Sequence, residues 1–516
     1  MIALAGCPAG GGDLGDACDG RESCASALQC VASVCVPRCQ RAPECGDGFT
    51  CSADGLCLRA EGQPGDACSS EVDCAPGLAC QIDGPGAPGA VRASCAEHAG
   101  GHPAGASCAI DADCRNGTCA LGLCSDLCRE TRDCIPGAAC MTIPFIDDGT
   151  STATGHELYA GCLPARGTVT WTIPVSSPVE DIRVPIPDGA RSATIVFRVD
   201  DPAQIVGADQ VVSPLDDPAS PTYPSYTRPC VPTSATDPVC NTQLARTRYF
   251  SQRLRHLPGP GQSVLQMPPS PEVPLETGAY RVRVSSFRAN GAQGSAIPRV
   301  TAVVKMDSGV TLDLHFHFLD LTDHPCASAF GDTRLDAAHA QTATFFQDVF
   351  LGELRTLFSR GGIVLGTTTY TDITDHPELD GLAREDAGAL LALGTHAQGI
   401  DVFFVRSLSP AGLQAFGPFP GPAGLAGTSQ SGVVISLDTL CHRSWNQVAR
   451  LTAHELAGYM GLYNNVELEA ERFPSWRDPI ADSDGTSTNL MYFSEAAGSA
   501  LSPGQRAVLT RSAVLR

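Results

Sequence analysis

The sequence has few of the features that would direct a protein to nucleic acid or into a lipid bilayer. Acidic residues outnumber basic ones by 56 to 34, and Lys305 is the only lysine. The net charge of -22 repels phosphate groups and anionic headgroups, so we expect no nucleic-acid partner. No apolar run approaches the roughly 20 residues that a membrane-spanning helix needs. Membrane attachment is therefore expected only through a lipid anchor.

Large apolar side chains are scarce in the first 166 residues, which are rich in cysteine instead. Most of the 25 cysteines lie there, and such density is typical of exported proteins, whose thiols are oxidised to disulfides. Each disulfide is worth about 2 to 4 kcal/mol, which replaces the missing apolar core. Histidines at ligand spacing are missing, and this disfavours the alternative that these cysteines bind zinc. We predict an exported protein whose N-terminal part is loop-rich and cross-linked.

The cysteines of residues 18–166 form a repeat. Two sets of eight share nearly the same spacing, and a half-length set of four lies between them. The sets are Cys18, Cys24, Cys30, Cys35, Cys39, Cys45, Cys51 and Cys57; Cys68, Cys74, Cys80 and Cys95; and Cys108, Cys114, Cys119, Cys124, Cys128, Cys134, Cys140 and Cys162. The repeats resemble Dickkopf-like cysteine-rich modules, and their spacing leaves the disulfide connectivity open.

The N-terminus, residues 1–17, contains a short motif around Cys7. Leu4-Ala5-Gly6-Cys7 resembles the lipobox of bacterial lipoproteins, in which the cysteine is diacylated. Lipidation of Cys7 would leave an even number of cysteines for pairing. The resemblance implies a lipoprotein of the bacterial cell envelope, held by this anchor.

Residues 167–307 have the pattern of a β-sandwich. Alternating residues at 168–173, 192–199 and 280–284 predict half-buried antiparallel strands between Pro- and Asp-rich turns. Cys230 and Cys240 lie ten residues apart in a Pro-rich segment, where a local disulfide is the simplest expectation. This region shows no catalytic constellation, so we expect it to act as a spacer, a docking domain or a binding domain.

Residues 308–516 alternate strands with helices, which predicts an α/β domain. Strands are expected at 311–319, 400–405 and 431–436, and residues 362–365 are expected to open a further strand. Asp336 can cap a helix whose apolar residues recur at helical spacing through Phe358. Cys326 and Cys441 are the cysteines of this region, and we predict that they bridge each other.

The decisive segment begins with His454 and Glu455 and resembles the metzincin signature HExxHxxGxxH. In metzincins the histidines bind zinc, the glutamate activates the metal-bound water, and the glycine turns the chain. His454, Glu455 and Gly461 match this pattern, whereas Gly458 and Asn464 stand where the second and third histidines belong. Residues 488–492, with Met491, look like the Met-turn beneath the metal. Residues 421–436 resemble the glycine-rich approach and edge strand of pappalysin-like zincins.

The resemblance implies a zincin fold with a degenerate metal site. Glycine offers no ligand and a neutral amide is a poor zinc donor, so His454 and Asn464 would not hold zinc tightly. We therefore expect no cofactor and a pseudopeptidase that binds a protein, a peptide or a glycan. Peptide docking is expected along an edge strand near residues 431–436. The alternative is an active secreted zinc endopeptidase with non-standard ligands, for which Glu455 is the catalytic residue.

Rescue ligands for zinc are available in principle among the acidic residues after the helix. They are Glu467, Glu469, Asp478, Asp482 and Asp484. Nothing replaces the second histidine, and the simpler interpretation is a solvated acidic loop. A calcium loop around residues 482–485 is a weaker alternative because its spacing differs from the EF-hand. His315 and His317 share one face of a strand, and we expect that pair to face solvent instead of a metal.

Overall fold

The computed structural model describes part of the chain in detail, and the statements below concern that part. The described residues are 28–31, 34–45, 49–51, 55, 57–59, 62–86, 89–146, 157–215, 256, 258–319, 321, 324–329, 334–466, 478–493 and 498–516. Cys7, Cys230 and Cys240 lie outside them, and so do Glu467 and Glu469. The chain divides into two compact units, one of Met1–Arg166 with Thr277–Ala279 and one of Gly167–Glu276 with Tyr280–Arg516.

The first unit consists of short antiparallel hairpins joined by disulfides. The hairpins are β1 (Leu28–Val31) with β2 (Val34–Pro37), β3 (Phe49–Cys51) with β4 (Cys57–Arg59), β5 (Leu78–Pro85) with β6 (Val91–Glu97), β7 (Cys119–Ala120) with β8 (Leu123–Cys124), and β9 (Ala138–Pro144) with β10 (Leu158–Pro164). Many of its buried residues are the cysteines themselves. The cysteine-rich N-terminal region is therefore cross-linked, as its composition predicts, and its disulfides indicate an exported protein.

The disulfides show that the repeating module holds four cysteines. In every described module the first cysteine pairs with the third and the second with the fourth. The pairs are Cys39–Cys51 with Cys45–Cys57, Cys68–Cys80 with Cys74–Cys95, Cys108–Cys119 with Cys114–Cys124, and Cys128–Cys140 with Cys134–Cys162. Each of the sets 39–57 and 128–162 is therefore half of a predicted set of eight.

A carboxylate precedes the second cysteine of each module and orders the turn there. Asp73 accepts hydrogen bonds from Ser69 N at 2.8 Å and Ser70 N at 3.2 Å. Asp113 and Asp133 make the same pair of contacts with the residues four and three positions before them. The repetition of this contact shows that the modules share a backbone conformation as well as a disulfide pattern.

The second unit begins with two four-stranded sheets. Their strands are β11 (Thr168–Ile173), β12 (Val179–Ile186), β13 (Ser192–Arg198), β14 (Ile205–Val212), β15 (Gly259–Pro260), β16 (Gln262–Met267), β17 (Gly278–Phe287) and β18 (Arg299–Lys305). One sheet has the order β11-β18-β13-β16 with antiparallel neighbours, and the other has the order β12-β17-β14-β15. This part is rich in β-strands, and its buried side chains include Phe197, Val282 and Val284.

A five-stranded mixed sheet follows in the same unit, with the order β20-β19-β22-β25-β24. Its strands are β19 (Thr311–Leu319), β20 (Val364–Ile373), β22 (Ile400–Val405), β24 (Ala415–Phe416) and β25 (Val433–Ser436), and a small parallel pair joins β21 (Gly381–Ala383) to β23 (Ser407–Ser409). Strands β19, β20, β22 and β25 are parallel, whereas β24 pairs with β25 in the antiparallel sense. The expectation that residues 431–436 form the edge is wrong, because β24 covers that strand.

Helices cover both faces of this sheet. They are α1 (Ala337–Thr342), a π-helical turn (Phe345–Phe350) that continues into α2 (Leu351–Arg360), α3 (Ala387–Leu391), α4 (Trp445–Tyr459) and α5 (Pro503–Leu509). Leu314, Phe316 and Phe318 of β19 pack in the core with α2 and α4. His315 and His317 point to the opposite face and are only 7% and 6% exposed, so the expectation that they face solvent is wrong.

A disulfide and the helix lengths complete the description. Cys326 and Cys441 are joined, with their Cα atoms 5.1 Å apart. This bond ties a loop to the turn Leu437–Cys441, which leads into α4. Among the described residues, none of the helices is long and apolar enough to cross a membrane.

Candidate functional site

Helix α4 places His454 and Glu455 at the wall of a cavity. The helix begins at Ser444, whose main-chain N–H donates to Gln447 Oε1 at 2.9 Å, and its apolar side chains pack against the sheet. Buried positions such as Val448, Leu456 and Tyr459 set its rotation, because they must face the core. The two polar residues therefore point to the side where the edge strand lies.

The cavity has a volume of about 1100 Å³ and several walls. The edge strand β24 with residues 417–420 forms one wall, and α4 contributes Leu451, His454 and Glu455. Further lining comes from residues 259–264 of the β-rich part and from Tyr463, Asn464, Tyr492 and Phe493. The structure thus brings His454, Glu455 and Asn464 to one cavity, with aromatic side chains around them.

His454 is oriented by the main chain next to Met491. Its Nδ1 lies 2.9 Å from the carbonyl oxygen of Leu490, which fixes Nδ1 as the donor. Met491 is fully buried, and its carbonyl accepts a hydrogen bond from Asn465 N at 2.9 Å. The segment 489–491 is therefore tied both to the middle of α4 and to the residue after Asn464.

Glu455 is 8% exposed and lies beside the start of the loop that follows β24. A Cβ built at Gly417 would be 3.3 Å from Glu455 Oε2 and 2.9 Å from a methyl carbon of Val433. A larger residue at position 417 would crowd the carboxylate. Glycine at this position therefore keeps the approach to Glu455 open.

Phe419 occupies the space beside Gly458, where the metzincin pattern has its second histidine. A Cβ built at Gly458 would overlap three atoms of the Phe419 ring. The same ring lies 5.6 Å from the ring of His454. A larger residue at position 458 therefore requires the ring of Phe419 to move.

Gly461 lies just after the end of helix α4, where the chain turns. Its φ angle is +112°, which favours glycine, and a Cβ there would overlap the side-chain amide of Gln266. Gln266 also donates to the carbonyl of Met460 at 3.3 Å. The turn that carries the chain to Asn464 is therefore held by strand β16 as well as by its own glycine.

The acidic residues after α4 have local structural contacts. Asp482 accepts from Ser502 Oγ at 2.7 Å and from Gly504 N at 3.0 Å, so it caps helix α5. Asp484 accepts from Thr486 Oγ1 at 2.9 Å, and Asp478 accepts from Ile480 N at 3.2 Å. These contacts explain the described carboxylates without a metal ion.

The donor set around His454 does not fit a catalytic zinc ion. Such a site needs three protein ligands in addition to water. Among the described residues, His454 offers one imidazole and Asn464 one amide, and the ring of Phe419 lies against Gly458. Within the described residues, none of the groups of three or more neighbouring His, Cys, Asp or Glu ligand atoms includes His454 or Glu455.

Neither a protein-family model nor a curated protein matches the sequence.

Two features of the structure have no counterpart in the sequence analysis. Phe419 is 39 positions before Gly458, and no local pattern indicates that their side-chain volumes compete. The second feature joins His317, His396 and Asp401, whose ligand atoms lie within 4.8 Å of one another on the far side of the sheet. The alternation of His315 and His317 was the available signal, and it could not show that a loop residue completes the group.

Proposed function

We propose that residues 308–516 form a zincin-type domain, related to the metzincins, that binds an extended polypeptide without hydrolysing it. The proposal is supported by a mixed sheet whose short antiparallel edge borders the cavity, and by a helix that presents His454 and Glu455 to the same cavity. The turn at Gly461 and the buried Met491 agree with the resemblance in sequence.

The observation that carries the proposal is the ring of Phe419 against Gly458. Loss of a histidine alone would leave a gap that water or a neighbouring ligand could fill. An aromatic ring packed into that gap removes the volume in which a second ligand could approach. Without a metal-bound water to deprotonate, Glu455 has no strong nucleophile to activate.

Two features of the cavity support the binding of a polypeptide. Ser436 N donates to Gln414 O at 2.8 Å, and Phe416 is paired with Val434, so the ladder between β24 and β25 uses residues 414 and 416. Because hydrogen-bonded pairs alternate in an antiparallel ladder, the N–H and C=O of Ala415 point away from β25. A peptide strand can pair with them, and the aromatic lining can hold its side chains.

The decisive experiment measures zinc that depends on His454. We compare the natural protein with Gly458→His/Asn464→His and with the same double variant carrying Phe419→Ala. In the natural protein and in the double variant, adding His454→Ala is expected to leave the zinc content unchanged. The reason is that the Phe419 ring blocks the site, so His454 holds no zinc there. The triple variant is expected to hold about one further zinc, which His454→Ala removes.

An active peptidase would give a different pattern. The natural protein would carry one equivalent of zinc that is lost in His454→Ala, and it would cleave a fluorogenic peptide library with an activity that Glu455→Gln abolishes. That result would contradict the proposed pseudopeptidase. We expect that neither the natural protein nor Glu455→Gln cleaves the peptide library.

We also propose that Cys7 carries a diacylglyceryl anchor that attaches the protein to the bacterial cell envelope. The motif at residues 4–7 and the many disulfides of an exported protein support this. Mass spectrometry of the N-terminal peptide is expected to show the lipid, and Cys7→Ser is expected to release the protein from the membrane fraction. A membrane fraction that keeps the Cys7→Ser protein would contradict the anchor.

A further inference from the structure

A group of polar side chains is buried behind the five-stranded sheet, on the face opposite to α4. His317 lies on β19 and Asp401 on the neighbouring parallel strand β22, while His396 belongs to the loop that precedes β22. His317 Nε2 and His396 Nδ1 each lie 2.7 Å from the same oxygen, Asp401 Oδ1. Two imidazoles therefore converge on one carboxylate.

Burial of the Asp401 carboxylate destabilises the fold unless a group of opposite charge lies beside it. Asp401 is 2% exposed and His317 is 6% exposed, and an isolated carboxylate at such a depth costs several kcal/mol or more. The side chain of His396 is 35% exposed, so the group is open to solvent on one side. An ion could enter there and keep a water molecule as an additional ligand.

Neighbouring residues fix the orientation of both imidazoles. The ring of His317 stacks on Phe403 with centroids 4.7 Å apart. The ring of His396 stacks on His315 at 3.4 Å and an interplanar angle of 5°, and its main-chain N–H donates to Asp401 Oδ2 at 3.3 Å. His315 is itself held by Thr369 Oγ1 at 2.8 Å and by the carbonyl of Gln398 at 3.2 Å.

In metal sites too, contacts from neighbouring residues hold the ligands in the orientation that the ion needs. The stacking on Phe403 and on His315 holds both rings beside Asp401. Metal binding needs each ligating nitrogen without its proton, so the ion would take the place of the protons that lie between the two imidazoles and Asp401 Oδ1.

We propose that His317, His396 and Asp401 form a binding site for a divalent transition-metal ion, for which Zn²⁺ is the probe. Two imidazoles and one carboxylate are ligands that zinc, cobalt and nickel accept. With bonds of about 2.0 to 2.1 Å, ligand atoms in a tetrahedral site are roughly 3.3 Å apart. The present 2.7 Å contacts would have to open by about half an ångström when the ion enters.

This site is separate from the cavity at His454 and does not depend on the proposed function. Its side chains lie on one face of the sheet, and the side chains of Phe316 and Phe318 lie on the other face, where they pack in the core with α4. A metal ion there would join β19, β22 and the loop before β22, and would act on stability instead of catalysis. A purely hydrogen-bonded triad is the alternative, and it makes no demand for metal.

The test is a zinc titration of the full chain after chelator treatment, followed by calorimetry and by thermal unfolding. We expect about one Zn²⁺ per chain, a rise in Tm with zinc, and a visible d–d absorption when Co²⁺ replaces Zn²⁺. His396→Ala is the main variant because its side chain is partly exposed, and circular dichroism checks that it folds. It is expected to weaken zinc binding by more than about tenfold and to abolish the rise in Tm.

Two control variants assign the ion. His376→Ala removes another partly exposed histidine, which contacts Glu378 on the surface, and His454→Ala alters the cavity. Both are expected to keep zinc affinity and the Co²⁺ spectrum. The proposal is overturned if the natural chain binds no zinc, if His396→Ala binds as tightly as the natural chain, or if His454→Ala is the variant that loses the ion.

Discussion

Lys305 donates a hydrogen bond to the main-chain carbonyl of Leu515. This only lysine of the chain is fully buried at the end of β18, and it also pairs with Asp307 at 3.1 Å. Ser192 Oγ donates to the carbonyl of Arg511 at 2.6 Å nearby. The last residues of the chain are therefore bound to the β-rich part by buried polar contacts.

Lys305→Met is expected to lower the free energy of unfolding by about 2 kcal/mol. The substitution keeps the apolar stem but removes the donor from Leu515 O and the charge partner of Asp307, which stays mostly buried. Denaturant unfolding measures the effect. The control is Arg299→Ala, which breaks the exposed pair of Arg299 with Asp200 and is expected to change stability by less than about 0.5 kcal/mol. Equal effects of the two substitutions would contradict the role given to Lys305.

The contact of Asp313 with Arg516 makes stability depend on pH. Burial acts to raise the pKa of Asp313, but hydrogen bonds from Arg516 and Thr367 N outweigh it, so the pKa lies below its ordinary value. A carboxyl group whose pKa is lower in the folded state stabilises the fold above its unfolded pKa of about 3.9, and the benefit is lost as the pH falls through the folded pKa.

Asp313→Asn is therefore expected to destabilise the protein at pH 7, and its effect is expected to become progressively smaller as the pH falls below about 3.9. Unfolding curves of both proteins at several pH values check this, with Asp188→Asn, an exposed turn residue, as the control. A difference in the free energy of unfolding between the two proteins that stays constant from pH 7 to pH 3 would show that the charge of Asp313 is not the cause.

Ala415→Pro tests docking at the edge strand. Proline removes the outward N–H of Ala415, which a bound peptide strand would need, while the ladder to β25 uses residues 414 and 416. We expect peptide affinity to fall by about tenfold, the equivalent of one hydrogen bond, with little change in Tm. Ala415→Gly keeps the N–H and is expected to bind normally.

The disulfide of Cys326 with Cys441 closes a loop of 115 residues ahead of helix α4. Its removal in Cys326→Ser/Cys441→Ser is expected to lower the free energy of unfolding by about 3 to 5 kcal/mol, because the unfolded chain gains freedom. Peptide mapping without reduction is expected to show the two cysteines in one cross-linked fragment. A free thiol at either position would refute this bond.

The sequence predicts well those strands that have a clear local pattern of apolar residues. Strand β19 covers Thr311–Leu319 as expected, and β22 covers Ile400–Val405 as expected, because alternation or a continuous apolar run identifies a strand. The strand expected to open at 362–365 begins at Val364 and runs to Ile373, since polar and Thr-rich residues continue it along an exposed edge. Pattern alone does not place the short β24, and so the edge of the sheet was assigned to the wrong strand.

The sequence by itself determined the cysteine repeats, the β-rich middle, the alternating strands and helices, and the departure of Gly458 and Asn464 from the metzincin signature. The tertiary structure decided the disulfide connectivity, the burial of His317 beside Asp401, and the packing of Phe419 against Gly458. The reason is that local pattern reports which face of an element is apolar, whereas these contacts join residues far apart in the chain. Only the folded backbone determines which of those residues share the same volume.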